Sequence, residues 1–243
     1  MPTRPESAST PPQADAGTGA AWAAPIVKEN LADVAWRSVR AALMEGHLKP
    51  GEPLYLRPMS HRFGISVTPM REALVRLVST NALSMDERGT VIVPALTQSE
   101  VREIWEIRAE LEGRAAAAAA ARVTAADIAA LEALNGQIIE NVQAKDFAAA
   151  VRDNTRFHLM LAALSHKPVL IEMIEGLWIR SGPLLWHAYD KSAPPWNPSK
   201  HMEIIDALKS GDAKAAYKTL SREVLAGMNG FLLFAEPESP QVD

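Results

Sequence analysis

Apolar side chains recur with a helical period over residues 29–45, at Leu31, Val34, Ala35, Val39, Ala42 and Leu43. Gly46 and the Pro50-Gly51 pair end that helix in a turn, and Leu54 begins a short extended piece. Pro58 to Phe63 reads as a second, short helix stopped by Gly64. A third helix is predicted from about Thr68 to Thr80, with Ala73, Leu74 and Leu77 on one side and Arg71 and Arg76 on another. Pro69 is at ease in its first turn, where a missing N–H is harmless, and Ser66 or Thr68 can cap the free amides. Leu83–Met85 and Val91–Val93 read as strands, with Asp86-Glu87-Arg88-Gly89 as the hairpin turn between them.

Three helices and a hairpin in one short domain describe a winged helix-turn-helix. Pro94 to Thr97 then forms a linker, and everything beyond it reads as helix. Six amphipathic segments, 99–121, 124–143, 146–165, 167–189, 199–210 and 212–233, are separated by short breaks. The predicted fold is mainly α: an N-terminal winged helix-turn-helix over 27–97, then an all-α antiparallel bundle over 98–233. Residues 1–26, rich in Pro, Ala, Ser and Thr, read as a disordered tail, and 234–243 as a flexible C-terminal tail.

Composition narrows the classes. At 243 residues and 48% hydrophobic content the chain can bury one large core or two moderate ones. The absence of cysteine excludes a disulfide scaffold and thiolate metal sites, and suits a cytoplasmic protein. No apolar run reaches about 18 residues, so no membrane span is expected. Residues 27–97 hold nine Lys/Arg against seven Asp/Glu, a balance of +2, while 98–243 hold fifteen against twenty, a balance of −5. Arg57, Arg62, Arg71 and Arg76 face only Glu72 in their interval, so one surface suits nucleic acid and the rest does not. An ordinary surface helix carrying two arginines remains the plain alternative for residues 64–77.

Two stretches carry a resemblance. Gly46-His47-Leu48-Lys49-Pro50-Gly51-Glu52 and Gly64-Ile65-Ser66-Val67-Thr68-Pro69-Met70-Arg71-Glu72-Ala73-Leu74 resemble the DNA-binding domain of GntR-type bacterial transcription regulators. The helical remainder resembles the FadR-type effector domain, called FCD. It does so at Arg108, Leu111-Glu112, Asn154-Thr155-Arg156-Phe157-His158, His201, Ile204-Ile205, Ala207-Leu208, Gly211-Asp212 and Ala216. The resemblance implies a homodimer on a palindromic double-stranded operator, with a small carboxylic-acid effector in the bundle. It carries DNA contact to Arg57, Ser66, Thr68, Arg71 and the wing-tip Gly89 with its neighbour Arg88, and Arg62 lies in the same basic segment. Val67 stands where the family commonly has arginine; valine touches a thymine methyl but cannot donate to guanine.

Asn154 and His158 share a helical face, His201 sits among Ile204, Ile205 and Leu208, and Glu223 shares a stripe with Ala216, Leu220 and Gly227. By itself each histidine reads as a satisfied core or surface residue, and Glu223 as merely exposed. The resemblance makes the four a divalent-metal set for Zn, Ni or Mn. Two identities depart from the family: Asn154 stands where Asp is frequent, and Glu223 where His is. Arg108 is a candidate clamp for an acid, or else an ion-pair partner of Glu112 four residues on. Arg180, Trp186, His187 and Tyr189 are candidates to line the same cavity, the aromatics being readable as core. An enzyme, a metal-dependent hydrolase or lyase in the bundle, and a constitutive architectural DNA binder are the competing classes.

Overall fold

The computed structural model of the protein describes residues 30–187 and 197–237. The chain opens with α1 (Leu31–Met44), α2 (Leu56–Phe63) and α3 (Val67–Ser79). Strand β1 (Pro53–Leu54) precedes α2, and β2 (Ser84–Met85) and β3 (Val91–Ile92) form the hairpin after α3. β3 lies between the other two and runs antiparallel to both. Asp86 shapes the hairpin turn by accepting the backbone N–H groups of Arg88 at 2.9 Å and Thr90 at 2.7 Å. Val39, Leu43, Met70, Leu74, Leu77, Leu83 and Val93 form the core of this winged helix-turn-helix.

The remainder is helical: α4 (Gln98–Ala120), α5 (Ala125–Gln143), α6 (Phe147–Ala163), α7 (Pro168–Ser181), α8 (Lys200–Lys209) and α9 (Ala213–Leu232). Side chains cap several of these helices where the sequence breaks fall. Thr97 with Glu100 and Thr124 with Asp127 make reciprocal capping boxes, and Asp212 accepts the N–H of Ala215 at 2.9 Å. α9 runs antiparallel along α4: the rings of Trp105 and Phe231 meet at 4.8 Å, and Ser221 Oγ donates to the Ala109 carbonyl at 2.7 Å. No helix among the described residues is long and apolar enough to cross a membrane.

Several local expectations are corrected. α2 begins at Leu56, since Pro58 is tolerated in a first turn, and this places Arg57 inside that turn. Ser66 takes the N-cap position of α3 by backbone geometry but makes no side-chain cap hydrogen bond. The helix expected over 167–189 leaves the α form after Ser181 and tightens into a 3-10 turn over Gly182–Leu185. Pro183 has no N–H with which to continue the ladder. The C-terminal tail does not begin at 234. Phe234 and Ala235 pack on the bundle core, and Glu236 pairs with the linker: its N–H reaches the Leu96 carbonyl at 2.9 Å and its carbonyl accepts from Gln98 at 3.0 Å. The tail expected over 1–26, and residues 238–243, lie outside the described residues.

The winged domain rests on α7 and the turn after it. Ile179 is buried within the winged domain's own core, and Glu175 pairs with Arg40 on α1. Gly182 lies so close to α1 that a Cβ there would stand 2.2 Å from the Leu43 carbonyl oxygen. A Cβ on Gly46 already has one neighbour too near, Leu185 Cβ at 2.6 Å. The two segments therefore meet backbone to backbone.

Gly182→Ala forces a methyl into that seam and is expected to lower stability by about 1–3 kcal/mol. Gly176→Ala, on the same helix with nothing within 4 Å of its added Cβ, is expected to be neutral or stabilising by about 0.5–1 kcal/mol. Urea denaturation of the two variants beside the parent chain checks the contrast.

Candidate functional site

The residues expected to meet DNA lie at the surface of the winged domain. Arg57, Arg62, Ser66, Thr68, Arg71, Arg88 and Gly89 are exposed, and Val67 is half-buried at the first turn of α3. Among the described residues, the side chains of Arg57, Arg62, Arg71 and Arg88 have no protein partner. Arg71 and Gly89 line one groove between α3 and the hairpin, together with Val75 and Met85. Arg76 has a different job. It pairs with Asp33 and lies 4.9 Å over the ring of Trp36, so its charge ties α3 to α1.

In the bundle, the four residues singled out as metal ligands come together and are all buried. α6 presents Asn154 and His158, α8 presents His201 and α9 presents Glu223. Donor atoms of His158, His201 and Glu223 lie within 4.8 Å of one another. His158 Nε2 is 3.6 Å from Glu223 Oε2, and His201 Nε2 is 3.9 Å from Glu223 Oε1, both too long for hydrogen bonds. Asn154 Oδ1, His201 Nε2 and Glu223 Oε2 are buried without any hydrogen-bond partner. Orphaned polar atoms cost free energy, and three at one cluster call for a partner they share. The donor set, two imidazoles with a carboxylate and an amide oxygen, fits a divalent cation.

The outer nitrogens are fixed. His201 Nδ1 meets Asn135 Oδ1 at 3.0 Å, and His158 Nδ1 meets Glu112 Oε2 at 2.8 Å. Such contacts orient a ligating imidazole and set its tautomer. Glu112 also accepts from Arg108 Nε at 2.9 Å and Trp178 Nε1 at 3.1 Å. Burial by itself would raise the Glu112 pKa, but the charges and hydrogen bonds of Arg108 and His158 outweigh it and hold the carboxyl at about 2. Burial raises the pKa of Glu223. Burial and then the neighbouring His158 push His201 well down, leaving it a neutral imidazole. His158 is also disfavoured as a cation by burial, yet Glu223 and Glu112 prevail and raise its pKa. Two carboxylates thus converge on one imidazole that can carry positive charge.

Beside the cluster is a small cavity of about 30 Å³. Arg108 lies in its wall, 3.8 Å over the ring of Trp178, and its Nη1 reaches Ser181 Oγ at 3.4 Å. Arg108 pairs with Glu112 and also borders the cavity. Arg180 does not. Trp178 and Ser181 face the cavity, and α-helical geometry turns Arg180 away from them, to within 3.7 Å of Glu100 in a crevice beside the winged domain. His187 stacks on Phe234 at 4.6 Å instead of lining the cavity, and Trp186 does not line it either. Tyr189 lies outside the described residues.

The comparisons follow the same division of the chain. The model of the bacterial regulatory proteins, gntR family, matches residues 31–93, and that of the FCD domain matches residues 103–225. The HTH-type transcriptional regulator McbR of Escherichia coli (strain K12) is 36% identical over 180 residues, covering 72% of this chain and 81% of that protein. The chain belongs to the gntR family of bacterial regulatory proteins. The HTH-type transcriptional repressor RspR of the same organism is 26% identical over 193 residues, 78% of this chain and 83% of that protein. The solved structure of E. coli McbR/YncC superposes with a TM-score of 0.78 at 31% identity, over 85% of this chain and 99% of that one.

Sequence reasoning missed Asn135, although the signal was present: it interrupts the apolar stripe Ile128, Leu131, Ile138 of α5 just as Glu223 interrupts that of α9. It also left Trp105, Trp178 and Phe231 unassigned, because a cavity-lining aromatic and a core aromatic look alike in a periodic pattern.

Glu112→Ala leaves Arg108 buried without its counter-charge and is expected to cost about 3–5 kcal/mol. The exposed Glu110→Ala, which removes contacts to Arg114 and Tyr217, is expected to cost less than about 1 kcal/mol. Denaturant midpoints of both variants decide the point.

Proposed function

We propose that this chain is a FadR-type repressor acting in the cytoplasm. It binds a palindromic double-stranded operator as a homodimer through Arg57, Arg62, Ser66, Val67, Thr68, Arg71, Arg88 and Gly89. A small carboxylic acid in the bundle cavity controls that binding. The observation that carries the reading is that two of the three orphaned donors, on Asn154 and Glu223, border a cavity whose wall continues into the ledge under α1. Membership of the gntR family and the likeness to RspR, a transcriptional repressor by name, support the DNA-binding half.

Asn154, His158, His201 and Glu223 would hold a divalent ion, Zn, Ni or Mn, which when bound offers Lewis-acid positions to a carboxylate. Arg108 adds a positive charge at the same end of the cavity. Trp178, Ser181 and Leu185 meet the ligand side of the wall, while Ile179 and Gly182 meet the winged domain. An acid that fits only one placement of this wall shifts the placement of α1. A preference of about 1–3 kcal/mol between the two placements suffices for control. Half-sites one helical turn apart tolerate little misplacement of the paired domains. A hydrolase or lyase finds no support in the wall: Glu112 is committed to Arg108, His158 and Trp178, and Ser181 donates to the Leu177 carbonyl.

Metal analysis of the purified chain is expected to find close to one divalent ion per subunit, and His158→Ala to lose most of it. Equal content in both proteins refutes the ligand set. Affinity for a duplex fragment pulled from the source genome is expected to fall with salt at a log–log slope of about −5, from Arg57, Arg71 and Arg88 on each of two subunits. A flat response removes the phosphate contacts.

A further inference from the structure

The groove between α3 and the hairpin is apolar inside and cationic at its rim. It holds about 290 Å³. The buried Leu74 and Val91 and the half-buried Leu56 make its floor. Val75 stands on the α3 side and Met85 on the hairpin side, and each is 48% exposed. Met85 pairs with Val91 across the two strands, so both side chains project from one face of the hairpin, toward α3. Single exposed apolar residues are ordinary on a protein surface. Two that flank one apolar floor leave a patch for a partner to cover.

The rim says which partner. Thr68, Arg71 and Val75 are three and four residues apart, so Val75 continues the exposed stripe of α3 that carries the expected DNA contacts. Helical rise puts Val75 about 6 Å beyond Arg71. Arg71 and Gly89 line the groove, and Arg57 and Arg88 adjoin Leu56 and Gly89 in sequence. Among the described residues no carboxylate lines it. An occupant must therefore bring negative charge to the rim and apolar surface to the floor. A DNA strand brings both, because its phosphates alternate with the hydrocarbon faces of deoxyribose. Duplex geometry agrees. One strand separates the major groove from the minor groove. With α3 in the first and the hairpin tip in the second, that strand runs between them and over Val75 and Met85.

We propose that Val75 and Met85 are further DNA-contacting residues, packed on the deoxyribose of the strand that runs between α3 and the hairpin. Their contribution is apolar. It neutralises no phosphate and reads no base edge, so it adds affinity that depends little on salt or on sequence. The unbranched, polarizable side chain of Met85 suits the uneven surface of a sugar. This inference rests on the reading of the exposed arginines as the DNA face.

The test titrates the full-length chain with a fluorescein-labelled duplex of mixed sequence at several salt concentrations, since sugar contacts do not need the operator. Val75→Thr combined with Met85→Gln keeps side-chain size and is expected to weaken binding by about tenfold with the log–log salt slope unchanged. Arg71→Ala, by contrast, is expected to flatten the slope by about 2, for one phosphate on each of two subunits. Met85→Lys places an ammonium beside the same strand and is expected to steepen the slope by about 2. Met173→Lys, at an exposed site on α7, is expected to leave it unchanged. Met85→Lys carries the test should the double variant not fold. Undiminished affinity in the double variant, or a Met85→Lys slope no steeper than that of Met173→Lys, overturns the inference and leaves the arginine contacts standing. A double variant that binds DNA like the parent but changes oligomeric state gives the groove to a second copy of the chain and overturns it equally. A parent chain that binds no duplex overturns both readings.

Discussion

The buried carboxylate of Glu112 is the constraint on which the bundle's chemistry depends. It lies on α4 and accepts from Arg108 on the same helix, from His158 on α6 and from Trp178 on α7. A carboxylate taken out of water is tolerated only when its lone pairs are answered, and here they are. The same bonds set the imidazole of His158 toward Asn154 and Glu223 and hold the indole of Trp178 in the cavity wall. One ionised side chain thereby fixes the donor cluster, the cavity and one face of α7 relative to each other.

That face of α7 leads out of the bundle. Trp178 and Ser181 look inward, whereas Ile179, between them in sequence, is part of the winged domain's core. Helical geometry permits this only for a helix packed on both sides. Beyond it, the meeting of Gly182 with Leu43 leaves no side chain to absorb a displacement. Close-packed backbone of this kind does not deform gradually.

Much of the fold was legible because its signals are local. Periodicity located all nine helices described, and turn residues located the hairpin. The legible part of the site was the set of polar residues on apolar stripes, Asn154, His158, His201 and Glu223, since burial there demands partners. What was not legible depended on packing between elements. Arg180 seemed a natural cavity cation until α7 turned it toward Glu100, and Arg76 seemed available to phosphate until Asp33 and Trp36 engaged it.

The two backbone hydrogen bonds between Glu236 and the segment Leu96–Gln98 bear on how the halves move. With Thr97 also locked in its capping box, the connection between the domains is stapled by the far end of the same polypeptide. The reading head is therefore carried as a stiff lever with a fixed fulcrum, not as a tethered ball. A rotation about such a fulcrum displaces the wing tip further than the linker, since displacement grows with distance from the pivot.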